Sequence, residues 1–574
     1  MRLIVKREGR EDATVGLGQV VSLMAALGSA GFCLDAPCGG NGRCGKCLVA
    51  ATGGLSAMGG REAGLLGGRA GLRLACLAEV VGDAVVTLGP GSGFRSAEGI
   101  GWSAPYGLDP PFRVYGLPVR DRRDQGSALG FLGLKGGSLA ALRAIGDLEA
   151  ARNLGYVLAY RDEALMGFAG DGGAPGNLAA ALDLGTTGLS AAVLDLGARE
   201  IVATGSALNP QTAMGADVVS RVTLAARSAG ELGRLQDLAV SGLRDLLASV
   251  VGPDVAGKLG GAVVAGNATM IHLLAGVNPK SLAQAPYRPV FTGAVDLSPL
   301  AARLGLAPYA RVLAAPAISS FVGGDICAGI LAVGLRERPG TVMFVDIGTN
   351  GEVVLSRDGR LVATSCAMGP ALEGMNIERG VRAVTGAVDG FRLNADMSPS
   401  FTTIGGAPAM GLCGSGIIDV CAELIKGGLI GKDGRLAKGP SPHVRDGRYH
   451  LTEDVFLGQR DIRQVQLAKG AMAAAMKTLL NRLDLTVGDL DEVIVAGSFG
   501  FHLRPESLRA LRLIPDGYGG PMVFVGNSSL AGAVRLLLDA SAMAGAGRLA
   551  GEVSVVELGF EPGFQGAFLG ELGF

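Results

Sequence analysis

Short apolar runs bounded by glycine, proline or aspartate predict strands, and stretches with apolar residues three or four apart predict helices. Near the start, "RLIVKRE" and "DATVG" read as partner strands, "GQVVSLMAALGSAG" (18–31) as a helix closed by Gly31, and "AVVTLGP" (84–90) as a late strand. Further on, "GSLAALRAIGDLEAARNLG" (137–155) has helical spacing and "YVLAYRD" (156–162) reads as a strand. The weakly charged stretch "LGGAVVAGNATMIHLLAGV" (259–277) is interrupted by glycine and polar residues. It predicts a strand, a glycine turn and a helix, not a membrane span.

The same patterning repeats. "AAALDLGTTGLSAAVLD" (179–195) and "MFVDIGTNGEVVLSRD" (343–358) are each an apolar strand ending in Asp, a Gly-Thr turn and a second strand. "AVVAGNATM" (262–270) and "VIVAGSFGF" (493–501) are each an apolar strand running into a glycine turn. Two echoes in the same order predict a duplicated fold with related halves.

Composition narrows the function classes. A chain of 574 residues should hold about two to four domains. Lys+Arg (51) nearly equals Asp+Glu (52), so no polyanion-binding surface is implied and nucleic acid is not an expected partner. The charged start lacks the apolar region of a signal peptide, and nine cysteines then imply reduced thiols in the cytoplasm. With four scattered histidines, a His-built metal site or a Ser-His-Asp triad is disfavoured. His272, His443, His450 and His502 are metal-ligand candidates by residue type alone, and a structural part is the commoner role for each.

Five cysteines precede residue 77: Cys33, Cys38, Cys44, Cys47 and Cys76. From Cys38 the spacing is C-x5-C-x2-C, followed after 28 residues by Cys76. Three thiolates on one glycine-rich loop and a fourth from a distant strand form the ligand layout of a plant-type [2Fe–2S] cluster. The glycines let backbone N–H groups approach an anionic cluster. A structural zinc site would more commonly show paired CxxC knuckles, and only one occurs here. Cys33 is surplus to the ligand set. With its flanking strands and helix, the region resembles a β-grasp ferredoxin.

The duplicated hairpins resemble the acetate kinase, sugar kinase, Hsp70 and actin superfamily (ASKHA), in which two such turns clamp the phosphates of ATP. The resemblance implies that Asp183, Gly185, Thr186, Thr187 and Gly188 form one phosphate loop, and Asp346, Gly348, Thr349, Asn350 and Gly351 the other. The two aspartates would hold hydrated Mg²⁺ and act in catalysis. "AGSFG" (496–500), with Gly497, Ser498 and Gly500, matches the adenosine-side turn, although that superfamily more often shows two adjacent glycines there. "GLCGSG" (411–416), with Gly414, Ser415 and Gly416, is a further nucleotide-contacting turn. Neither a G-x-x-x-x-G-K-[ST] loop nor a dinucleotide G-x-G-x-x-G turn after a strand is present, which disfavours a flavin or nicotinamide reductase.

The expected fold class is multidomain α/β: an N-terminal β-grasp ferredoxin domain, a small α/β intermediate domain, and a duplicated actin/Hsp70-like two-lobed domain. The boundaries read from the sequence are 1–90 for the first, 91–111 for a Gly/Ser/Pro-rich linker, and 112–176 for the intermediate domain. Residues 177–574 form the ATP-binding domain, with halves of about 177–340 and 341–574. That order is similar to the reductive activators of corrinoid proteins. "NPQTAMGADVVSRV" (209–222), "FVGGDICAGIL" (321–331), "MGPALEGMNIERG" (368–380), "RDIRQVQLAKGA" (460–471) and "VGNSSLAGA" (525–533) fit that family as well.

The resemblance implies an ATP-hydrolysing reductase. It would take one electron from a low-potential donor through [2Fe–2S] and return a methyltransferase-associated corrinoid from Co(II) to Co(I), with ATP and Mg²⁺ as cofactors. Glu373, Arg379 and Asp217 are candidates for coupling the cleft to domain motion, with ordinary ion pairing as the alternative. Whether the chain forms a homodimer is left open by the sequence. One rival is an electron injector of the 2-hydroxyacyl-CoA dehydratase or benzoyl-CoA reductase type, with [4Fe–4S] between two subunits. Its cysteines would lie in the clamp domain, where Cys327, Cys366, Cys413 and Cys421 instead read as small core residues. The other rival is a non-hydrolysing redox and nucleotide sensor.

Overall fold

The computed structural model describes residues 1–7, 12–29, 47–66, 69, 71–88, 109–121, 123–169, 177–437, 441–497 and 503–574. The first sheet runs in the order Ala13–Gly16, Arg2–Arg7, Glu79–Leu88, Leu48–Leu55, Leu72–Leu74. Arg2–Arg7 pairs antiparallel with Ala13–Gly16 and parallel with Glu79–Leu88, as a β-grasp requires. Leu3, Val5, Val49, Val80 and Val86 alternate inward, and the helix Leu23–Ser29 covers them with Leu23 and Leu27. That helix is shorter than its apolar spacing predicts. Val21 and Ser22 are drawn into the sheet by pairing with Val80 and Glu79, so ladder hydrogen bonds override local helical preference.

A second, four-stranded sheet is ordered Phe112–Leu117, Gly155–Tyr160, Glu163–Ala169, Gly136–Gly137. The helix Leu139–Ala151 packs on it through Ala141, Ile145 and Leu148, with Ser138 capping its first turn. Of the expected linker, 91–108 lies outside the described residues. Residues 109–111 are anchored, since Asp109 and Pro111 carbonyls accept from the Ala540 and Arg161 amides.

The remaining chain carries two six-stranded sheets of matching topology. In the first, the hairpin Leu178–Leu184/Gly188–Asp195 is flanked by Glu200–Leu208 on one side and by Gly261–Gly266 and Arg311–Ala314 on the other. In the second, the hairpin Thr341–Ile347/Gly351–Arg357 is flanked by Arg360–Cys366 and by Glu492–Ala496 and Met522–Gly526. Parallel pairing sets Asp183 beside Ala265 and Asp346 beside Ala496, so the duplication holds residue by residue. The fold class expected from the sequence is the one observed.

The halves share a core. One apolar cluster joins Ala179 and Val263 to Phe344, Ile494 and Val534, and it takes in Phe112 and Leu158 from the second sheet. Helices Gly324–Val333 and Ser528–Leu538 cross where a Cβ on Gly532 would stand 2.1 Å from the Ala328 carbonyl oxygen. Only glycine permits that approach. Among the described residues, no helix is long and apolar enough to cross a membrane.

Candidate functional site

A cavity of about 530 Å³ opens between the halves, within the size range of small-molecule sites. Its walls include both predicted turns: Asp183, Gly185, Thr186, Thr187 and Gly188 from the first, and Asp346, Gly348, Thr349 and Asn350 from the second. Gly414, Ser415 and Gly497 also reach it, whereas Gly351 and Gly416 lie behind the lining, with Cβ positions blocked by Met368 and by the Val388 carbonyl. Ser498 and Gly500 fall outside the described residues, as does His502. His272 is a buried core residue, its ring stacked on Phe291.

The first turn is held from beneath. Asn209 Nδ2 donates to the Gly185 carbonyl (2.8 Å), and its backbone N–H to that of Thr187 (2.9 Å). Asn267 Nδ2 donates to Thr186 Oγ1 at 3.0 Å, which leaves the threonine its own proton to offer a ligand. Arg221, wholly buried, donates to the Thr186 and Gly215 carbonyls at 2.6 and 2.9 Å, and to Gln211. Burial lowers its pKa to about 9, and the Asp217 charge partly offsets this. A guanidinium under a turn of this kind favours an anion above it.

Four carboxylates meet deep in the cleft: Asp183 and Asp346 at the ends of their strands, Glu352 opposite Asp346 in the second hairpin, and Asp325 in the first turn of Gly324–Val333. Burial, and then the neighbouring Asp183 charge, push Asp325 up to about 7. Asp346 also rises to about 7, from burial and then from Asp325 and Asp183. Glu352 is raised well above its usual range by burial, Asp325 and Asp346. Asp183 is raised by burial but partly relieved by hydrogen bonds from Asn527 Nδ2 and Ser529 Oγ, both 2.8 Å. Such mutual repulsion is what a divalent cation would relieve. Among the described residues, no three His, Cys, Asp or Glu side chains converge closely enough to ligate one ion directly. The donor set therefore fits a hydrated cation such as Mg²⁺, which keeps several waters.

Sequence reading missed Asp325, Glu352, Asn527 and Ser529. Their segments had drawn notice, but only folding brings them to the predicted aspartates. Glu373 bridges the two turns, accepting from Thr187 Oγ1 at 2.9 Å and from Thr349 Oγ1 at 2.6 Å. Arg382 lines the same cavity. Asp217 is an N-cap, its carboxylate accepting from the Ser220 amide at 2.7 Å. Arg379 lies over the Phe456 ring.

In the N-terminal sheet, Cys47 precedes Leu48–Leu55 and Cys76 follows Leu72–Leu74, with their sulfurs 3.2 Å apart. Two thiolates on one tetrahedral ion at about 2.3 Å each would be about 3.8 Å apart. The two positions thus fit neighbouring ligands after a small separation. Cys33, Cys38 and Cys44 lie outside the described residues. Cys327, Cys366, Cys413 and Cys421 are buried, and burial raises all four thiols, Cys327 to about 12. They behave as apolar core residues, as expected.

Residues 178–338 match the family model described as the RACo middle region, and residues 340–574 the one described as the C-terminal domain of RACo, the ASKHA domain. This chain belongs to the RACo family. The RACo-type chain is 30% identical over 386 residues to a corrinoid activation enzyme, RamQ, of Eubacterium limosum, covering 62% of this chain and 64% of that protein. It is 28% identical over 256 residues to a reductase of the Co(II) methylated amine-specific corrinoid protein in Methanosarcina barkeri, covering 40% and 45%. The matched stretches thus span less than two thirds of either curated relative. A solved reductive activator for a corrinoid, iron-sulfur protein superposes with a TM-score of 0.76 at 28% identity, covering 100% of this RACo-family chain and 98% of that one.

Proposed function

We propose that the chain is an ATP-dependent reductive activator, passing one electron from a low-potential donor to a corrinoid protein to return Co(II) to Co(I). One observation carries this reading. Two duplicated hairpin turns and four carboxylates converge on a single cleft, in a chain whose N-terminal sheet brings Cys47 and Cys76 together.

In this reading Gly185–Gly188 and Gly348–Asn350 receive the phosphates of ATP, while Gly414, Ser415 and Gly497 face the nucleoside. Asp183 and Asp346 would hold hydrated Mg²⁺ and orient an attacking water, with the buried Asp325 and Glu352 behind them. The bound Mg²⁺ supplies charge neutralisation at the phosphates. Asn267 aims the Thr186 hydroxyl, and Arg221 fixes the turn and its polarity. Cys38, Cys44, Cys47 and Cys76 would hold the [2Fe–2S] cluster, whose chemistry is one-electron transfer.

A physical requirement explains why both parts belong to one chain. Plant-type clusters sit at roughly −400 mV, and this reading requires a cobalt acceptor of lower potential. Each ~59 mV of one-electron deficit costs about 1.4 kcal/mol. Nucleotide can offset that only by changing how tightly the activator holds its partner, because a ligand shifts an equilibrium by its differential affinity alone.

The test uses anaerobically purified protein with a Co(II) corrinoid protein. Cobalt reduction is expected only when low-potential reductant, Mg²⁺ and ATP are all present. Equal reduction without ATP rejects the coupling.

A further inference from the structure

Glu373 makes a contact that phosphate binding alone does not explain. Its two carboxylate oxygens are divided between the duplicated turns, Oε2 accepting from Thr187 and Oε1 from Thr349. Each carboxylate oxygen thus accepts from a threonine hydroxyl, one on each turn. An anion therefore already sits where both turns offer donors.

A threonine hydroxyl has one proton to give. While Thr187 and Thr349 donate to Glu373, neither can donate to a phosphoryl oxygen, and a phosphoryl group placed there also meets a like charge. Glu373 and a nucleotide phosphate thus compete for the same two protons. The phosphate in question can be assigned by reach. Ser415 and Gly497, on the nucleoside side, belong to the second half of the fold, whereas Thr187 belongs to the first. A phosphate that takes both protons must reach across to the first half, which fits the one farthest from the nucleoside.

We propose that Glu373 sets the discrimination between nucleoside triphosphate and diphosphate, by occupying the place of the terminal phosphate until that phosphate displaces it. The proposal rests on the nucleotide-cleft reading above. With ADP, Glu373 keeps both hydroxyls and the cleft stays bridged. With ATP the bridge is broken, and the short turn Pro370–Glu373, which ends at Gly374 with φ +79°, is released from the opposite half. Glu373 is thus a specificity-determining residue for the triphosphate.

Calorimetric titration of the full chain, with Mg²⁺ and either a non-hydrolysable ATP analogue or ADP, tests this. In Glu373→Ala the analogue should bind about tenfold more tightly, while ADP changes by less than about twofold. Glu373→Gln, which preserves size, should shift the analogue in the same direction by less, and it serves if the alanine variant folds poorly. Weaker analogue binding in the variants, or equal shifts for both nucleotides, overturns the proposal. If the unaltered chain binds both nucleotides and neither variant changes the ratio, this inference alone falls. If the unaltered chain binds neither, the cleft reading falls and takes this with it.

Discussion

Asn527 donates a 2.8 Å hydrogen bond to Asp183 from 344 residues away in sequence. It caps the helix Ser528–Leu538 with its own side-chain oxygen, which accepts from the Leu530 amide, while its NH₂ reaches Asp183 at the head of the first Gly-Thr turn. Ser529, two residues on, donates to the other Asp183 oxygen. The first half's key carboxylate is thus oriented by the second half. Asn527→Ala should cost about 1–2 kcal/mol by removing both the cap and the Asp183 bond. Asn527→Asp retains the cap and places a second anion against Asp183, so it should fold but lose nucleotide affinity. A melting curve paired with a nucleotide titration separates the two effects.

The cleft carboxylates give stability an uncommon pH dependence. Unfolded, Asp325 and Asp346 titrate near 3.8; folded, both titrate at about 7, chiefly through burial. Between those values the folded chain binds more protons than the unfolded chain, so raising the pH favours unfolding. Without divalent cation or nucleotide, the melting temperature should fall from about pH 4 to about pH 7 from this source and level off above. Asp346→Asn should flatten the slope. A slope of opposite sign that Asp346→Asn leaves unchanged would show that these groups are ionised normally.

Arg221 is charged, buried and tied to backbone carbonyls. Arg221→Met leaves the Thr186 and Gly215 carbonyls short of a donor and should cost about 2–4 kcal/mol. Arg221→Lys restores charge but not the fork of donors. It should recover part of the stability while nucleotide affinity stays reduced by about tenfold. Thermal melts with binding isotherms on both variants read this out.

Cys47→Ser and Cys76→Ser should each abolish the visible absorbance of a bound iron–sulfur cluster in anaerobically purified protein. Nucleotide binding should be unaffected, because their apolar surroundings are drawn from residues 3–86, apart from the cleft. Iron and sulfide analysis beside a nucleotide titration checks both halves of the statement. Full absorbance in either variant would remove that cysteine from the ligand set.

The sequence was most legible where chemistry and local geometry coincide. The Asp-x-Gly-Thr turns were visible because strand, carboxylate and glycine lie within one short segment, and their repetition foretold the paired topology of the two sheets. Partners contributed from afar were not visible. Asp325 resembles any aspartate in the first turn of a helix, and Glu352 any polar residue of a strand, until pairing sets it opposite Asp346. Asn527 and Ser529 sat in a segment whose family likeness was noted without a role. The helix over 18–31 was overextended because Val21 and Ser22 fit either state, and only the position of Val80 decides between them.

The apolar cluster beneath the first sheet is drawn, among the described residues, wholly from positions 3–86, whereas the cluster shared by the duplicated halves interlocks both with Phe112 and Leu158. Heat or denaturant should therefore take the chain apart in two stages, the N-terminal sheet on its own and the rest as one cooperative body. Evolution meets the same partition. Among the described residues the front sheet shares no apolar cluster with the jaws and can be exchanged without retuning them, whereas the jaws share one core and change together.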